Sequence, residues 1–181
     1  KGLKILPAPV TPEKAELVSG QMLTGLLKSI RRSFRHVVVD TGPEFSDATL
    51  AVLDESDIIL VLTVLDYIPT IKNTKIGLDV LTSLGYSAAK VKLILNRARA
   101  KTAMDLTEIE EVLGRKFSAS LPNDFSTVVG FINSGKPFVT AAPAAGISQA
   151  VFQLARSLTS NSWPGGQRPG GMVDKLKRWF K

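Results

Sequence analysis

Cysteine is absent from this chain, and histidine occurs once, at His36. Without thiols there are no disulfides and no cysteine-built metal sites, which fits a reducing compartment. One imidazole is too few for a histidine-built metal site, and it makes a Ser/His triad a poor expectation. No apolar run approaches the roughly 18–20 residues of a membrane-spanning helix, and no signal-peptide pattern opens the chain. A phosphate-cradling loop of the form G-x-x-x-x-G-K-S/T is also missing. Gly165-Gly166 and Gly170-Gly171 are followed by neither the lysine nor a helix of the right kind. The chain by itself therefore cannot hold phosphates in the P-loop manner.

What is present is the composition of a folded protein. The 181 residues suit one domain of ordinary size, and with 44% hydrophobic and 22% charged residues there is enough apolar surface to bury a core. The net charge of +7 is unevenly placed. The last 21 residues carry five basic side chains against Asp174 alone, a surplus of four that leaves +3 for the rest. A basic tail of this kind expects an anionic partner, either acidic lipid or nucleic acid.

Along the chain, short apolar runs alternate with segments of helical period. Leu3–Leu6 reads as a strand stopped by Pro7 and Pro9. Thr11-Pro12-Glu13 reads as a helix start, and Ala15, Val18, Met22, Leu26 and Ile30 recur at helical spacing up to Arg31 and Arg32. Further strands are expected at 36–39, 58–62, 91–95 and 117–121. Helices are expected at 46–53, 70–84, 105–113, 125–132 and 148–158, with Gly85, Gly114 and Gly135 at three of their ends. The strands are continuous apolar runs rather than alternating ones. This predicts an α/β fold with a mostly parallel sheet and helices on both faces. In such sheets ligands bind beyond the carboxyl ends of the strands. Asp40, Asn96 and Pro122-Asn123-Asp124 all follow strand ends, so three segments could converge on one site.

Each of these has a chemical and a plain reading. An Asp at the end of a buried strand, as in Val37-Val38-Val39-Asp40-Thr41-Gly42-Pro43, can reach a metal-bound water beside a nucleotide phosphate. It can equally end a strand and cap a turn. Asn96 of Leu93-Ile94-Leu95-Asn96-Arg97 can pair with a purine through its amide, or simply form a turn. Asn123 or Asp124 can line a base pocket, cap the next helix, or do both. Gly135-Lys136-Pro137 reads as a helix stop.

Asn161–Gly171 is rich in Gly and Pro and reads as a flexible linker. In the following segment, at about 100° per residue, Met172, Val173, Leu176, Trp179 and Phe180 fall within an arc of roughly 120°. Lys175, Lys177 and Arg178 lie on the other side, with Asp174 and Lys181. A Trp/Phe face opposite a Lys/Arg face suits an interfacial membrane helix. Docking onto its own domain or a partner is the alternative, and nucleic acid a lesser one.

Taken in order, these motifs resemble the MinD/ParA family of deviant Walker A ATPases over nearly the whole chain. Residues 37–43 look like that family's Walker B and switch II segment, and Leu93–Arg97 like its adenine-contacting strand end. Leu121–Asp124 and the following VVGFINSGKPFV look like its second base-contacting loop and helix. PTIKNTKIGLDVL at 69–81 is closer to the CpaE/TadZ branch of Flp/Tad pilus assembly, and the tail resembles the membrane-targeting helix of MinD. The resemblance implies a P-loop NTPase fold of the SIMIBI/MinD-like kind, ATP and Mg²⁺ as cofactors, and a homodimer on the inner face of the cell membrane in the cytoplasm. Pilus-assembly or polarity proteins would be partners, with DNA as a less favoured one.

Asp40 would be the catalytic residue, acting on Mg²⁺ through water. The nucleotide would be held by Asp40, Thr41, Gly42, Pro43, Asn96, Arg97, Pro122, Asn123 and Asp124. Residues 1–160 would be the C-terminal part of the ATPase domain, 161–171 the linker and 172–181 the membrane helix. The P-loop, its signature lysine and the switch I acid are expected before Lys1, which is read as a cut end. The same resemblance also covers an inactive localisation scaffold and a division-site or chromosome-partitioning ATPase.

Overall fold

The computed structural model describes residues 3–65, 67–98 and 105–159. The linker 161–171 and the amphipathic segment lie outside the described residues, and with them Met172, Val173, Lys175, Leu176, Lys177, Arg178, Trp179 and Phe180. The described residues fall into two compact units, divided between Ser56 and Asp57.

The second unit holds the sheet. β1 (Ile59–Thr63), β2 (Val91–Ala98) and β3 (Phe117–Pro122) lie in the order β1-β2-β3, and both pairings are parallel. The helices between them are α4 (Ile68–Ser83), α5 (Leu106–Leu113), α6 (Phe125–Asn133), the short α7 (Phe138–Ala141) and α8 (Gly146–Thr159). β2 is the centre of the core. Leu93 and Ile94 are wholly buried, and Val91 and Leu95 nearly so. Successive strand residues point to opposite faces, so both faces of β2 are covered. Ile94 packs with Leu121 and Ile147, against Val128 of α6, Phe138 of α7 and Val151 of α8. This is the helix-flanked parallel sheet that unbroken apolar strands require.

Local chemistry fixes the connections. Asp105 caps α5 by accepting from Thr107 N at 2.8 Å, and Gly114 ends it in the left-handed region at φ 66°. Arg115 then donates to the carbonyls of Ala88 and Val91, and Phe117 N donates to Glu110 Oε1 at 2.7 Å. A turn that would otherwise leave backbone groups unpaired is thereby tied to the start of β2. The four-residue α7 follows Pro137 and was not visible in the periodicity.

The first unit contains α1 (Pro12–Glu16), α2 (Gly20–Ser33) and α3 (Asp47–Glu55). Here three expectations are corrected. Leu3–Leu6 is not a strand, and Leu3, Ile5 and Leu6 are exposed. The helix expected to run unbroken to Arg32 is two helices, because the Ser19 hydroxyl accepts from Met22 N at 3.2 Å and restarts it. The inward face is then set by Gly20 and Leu27, and Met22 faces out. Gly20 has no room for a side chain, since a Cβ would lie 2.7 Å from Asp47 Oδ2, the atom that accepts its N–H. Third, Val37–Val39 form no strand. They have no described ladder partner, and Val38 is 94% exposed. A β-branched run favours extended backbone, but only cross-strand hydrogen bonds make it a strand.

One further difference concerns β1. A buried strand was expected, yet Ile59 and Thr63 are buried while Leu60 and Leu62 are not. Among the described strands β1 pairs on one side only, and the face carrying Leu60 and Leu62 is incompletely covered.

Candidate functional site

Because the strands are parallel, their carboxyl ends share one edge of the sheet: Thr63 on β1, Ala98 on β2 and Pro122 on β3. The ladder between β2 and β3 is irregular there. Leu95 pairs with Ser120 and the next pair is Ala98 with Pro122, so β2 carries one extra residue. That bulge contains Asn96 and Arg97. Arg97 has φ 52° and is the non-glycine residue with positive φ among those described. A bulge with a left-handed residue bends the strand and re-aims its side chains. For an arginine this backbone costs on the order of 1 kcal/mol, so its surroundings must hold it.

Two hydrogen bonds flank it. Asn96 Oδ1 accepts from Arg97 N at 2.9 Å, and Ala98 O accepts from Asn123 N at 2.9 Å. The second bond joins the end of β2 to the loop after β3. It brings Asn96 and Arg97 to the same edge as Pro122, Asn123 and Asp124. Asn96, Pro122 and Asp124 are half-buried, and Arg97 and Asn123 are exposed. Asp124 caps α6, accepting from Thr127 N at 3.2 Å and from Ser126 Oγ at 3.3 Å. The Thr127 hydroxyl, and after it the Thr127 N–H, hold the Asp124 carboxyl below the usual carboxylate range. Its capping role is therefore real, and it anchors the loop that carries Asn123.

Asp40, Thr41, Gly42 and Pro43 belong to the first unit and are exposed. A Cβ placed on Gly42 would meet nothing within 4 Å, so the backbone there is bare. Among the described residues no three His, Cys, Asp or Glu side chains converge as metal ligands. No described helix is long and apolar enough to cross a membrane.

Sequence reading missed Thr63. It is 4% exposed at the end of β1, and its hydroxyl lies 2.7 Å from that of Thr74, which donates to Thr70 O at 2.8 Å. This hydroxyl pair pins α4 to the site edge of the sheet. A threonine ending an apolar strand is the only signal the sequence offers for it, and that signal is weak.

Solved structures with the same architecture are ATPases. A ParA family ATPase from Chlorobium tepidum TLS superposes with a TM-score of 0.77 at 23% identity, over 83% of this chain and 62% of that one. This is the ParA/MinD fold. The MinD cell division protein of Aquifex aeolicus gives 0.68 at 20% identity, over 82% of this chain and 64% of that one. The septum site-determining protein MinD of Pyrococcus horikoshii OT3, solved with Mg-ADP, gives 0.70 at 19%, over 90% and 65%. The chain thus spans under two thirds of the length of each of these ParA/MinD proteins. No protein-family model matches the chain, and no curated protein matches it significantly. Within the ParA/MinD fold, the edge carrying Asn96 and Asn123 is the carboxyl edge, where α/β sheets take their ligands.

Proposed function

We propose that this chain is the base-binding portion of a ParA/MinD-like ATPase that takes ATP with Mg²⁺ and works at a membrane surface. The observation that carries the reading is the Asn123 N to Ala98 O bond. It makes one edge of two segments that the sequence keeps about 25 residues apart. The residues at that edge fit a purine. Asn96 has an amide NH₂ to donate and a second lone pair on Oδ1, and Asn123 adds another amide. The phosphates are a different matter, since the sequence contains no Gly-rich cradle and Asp40 is the single carboxylate assigned to the metal. Bound Mg²⁺ would supply charge neutralisation at the phosphates. Asp40 would hold a metal-bound water, Thr41, Gly42 and Pro43 would shape its loop, and Arg97 would contact the nucleotide beside Asn96.

In this reading residues 1–160 are the C-terminal part of the ATPase domain, 161–171 a linker and 172–181 a membrane-targeting helix. The protein acts as a homodimer on the cytoplasmic face of the membrane and positions an apparatus, which the PTIKNTK segment favours as a Flp/Tad-type pilus. Burial of Trp179 and Phe180 at a lipid interface supplies only a few kcal/mol, about enough for weak attachment. Two tails in a dimer raise avidity steeply.

Calorimetry with adenine nucleotides tests the base site. Asn96→Ala should weaken binding about tenfold or more, and wild-type protein that binds none would refute the reading. For hydrolysis, in a protein that carries the P-loop as well, Asp40→Asn should cut turnover on the order of 100-fold. For the membrane, replacing Trp179 and Phe180 by Glu should abolish sedimentation with anionic liposomes, and unchanged sedimentation would sink that part.

A further inference from the structure

α2 is a surface helix of two chemistries. On one side Gly20 and Leu27 are buried and Leu23, Ile30 and Arg31 half-buried, and the helix packs on α3. At about 100° per residue the opposite side spans an arc of roughly 160°. It runs from Lys28 and Arg32 through Gly25 and Ser29 to Met22 and Leu26, and all six are exposed. A Cβ on Gly25 would meet nothing within 4 Å, so the middle of this face is open. α2 contains no acidic residue, and Arg35 stays exposed just beyond its end.

The fold uses only part of this charge. Lys28 pairs with Glu55 at 3.5 Å, and Arg31 donates to the Glu55 carbonyl. Among the described residues no acid pairs with Arg32 or Arg35. Cations near the carboxyl end of a helix are favoured by its dipole. The dipole does not account for Met22, 61% exposed, or for Leu26 left in water beside them.

We propose that this face of α2 is a second contact with an anionic lipid surface. Lys28, Arg32 and Arg35 meet headgroup phosphates, and Met22 and Leu26 enter the acyl boundary. The inference rests on the membrane-surface part of the reading above, but not on its tail. A cationic flank beside an apolar flank is what a helix lying in an interface requires. Nucleic acid would engage the cations and leave Met22 and Leu26 without a role. The same pairing of Lys/Arg with large apolar residues recurs at 172–181. Two weak contacts on one chain reinforce each other, because the first holds the second near the surface. A contact made by the folded part also fixes which side of it faces the lipid.

Sedimentation of the full chain with vesicles tests this, using phosphatidylcholine alone or mixed with phosphatidylglycerol. Arg32→Glu with Arg35→Glu reverses two exposed charges and disturbs nothing buried. Binding to the anionic vesicles should weaken about tenfold or more, and the difference should shrink as salt rises. Met22→Ser with Leu26→Ser should weaken binding by a smaller factor. Arg32→Gln with Arg35→Gln should give a smaller loss of the same sign, and it serves if the reversed variant does not fold. Unchanged vesicle binding in the arginine variants overturns the inference. If they lose affinity for duplex DNA instead, the face belongs to nucleic acid and the lipid assignment is overturned.

The tail and α2 fail separately. Sedimentation lost on replacing Trp179 and Phe180 by Glu, yet unchanged in the arginine variants, leaves the tail and removes α2. Sedimentation kept in the first and weakened in the second removes the tail and leaves α2. Wild-type protein that never sediments with the anionic vesicles refutes the membrane reading, and this inference with it.

Discussion

Val37-Val38-Val39-Asp40 and Leu93-Ile94-Leu95-Asn96 are nearly the same phrase: three aliphatic residues, then a short polar one. Their fates are opposite. Leu93 and Ile94 are wholly buried in the middle of a parallel sheet, while Val38 is 94% exposed and forms no strand. Residue type cannot explain this, because valine favours strands at least as much as leucine does. The difference is the ladder. β2 has β1 on one side and β3 on the other, and helices cover both its faces. Val37–Val39 have no described backbone partner. An apolar strand thus specifies a need, and its neighbours decide whether the need is met.

The largest test of that contrast is a matched pair of truncations. Leu93→Ala should cost about 3 kcal/mol, since it opens a cavity in a packed core. Val38→Ala should change stability by no more than about 0.5 kcal/mol, as for exposed sites generally. Denaturant unfolding measures both, and comparable losses would mean that Val38 is covered in solution.

A smaller effect is expected at the sheet edge. Thr63→Val removes the hydroxyl facing Thr74 but leaves Thr74 donating to Thr70 O, so the loss should be about 1 kcal/mol. A neutral result would show that the pair contributes nothing to holding α4 on β1.

The smallest effect concerns pH. The Asp124 carboxyl titrates below its usual range because Thr127 donates to it in the fold. Its stabilisation is therefore complete above the ordinary Asp value of about 3.9. It is lost as pH falls through the lower folded value. Asp124→Ala should lower the melting temperature slightly at neutral pH and shrink that difference in acid. A difference that persists unchanged at low pH would contradict the capping role.

Much of the fold was legible because its signals are local. Asp124 caps a helix as read, Ser46 and Asp105 cap helices at the starts expected for them, and Gly85, Gly114 and Gly135 take positive φ at helix ends. The break at Ser19 was missed because the apolar spacing runs on across it, and only the cap shows where the helix restarts. The site was legible as three candidate segments but not as a geometry. Asn96, Asn123 and Asp124 were named from their places after strands. That Asn123 bonds to Ala98 depends on a pairing between strands well apart in sequence.

The sequence by itself determined the alternation of strands and helices, the parallel sheet, the helix caps and the polar residues at the strand ends. These follow from hydrophobic period and from the backbone preferences of single residues, which act over a few positions. Only the tertiary structure decided which apolar run is buried, where β2 bulges, and that Asn123 bonds to Ala98. Those depend on hydrogen bonds and packing between segments distant in the chain.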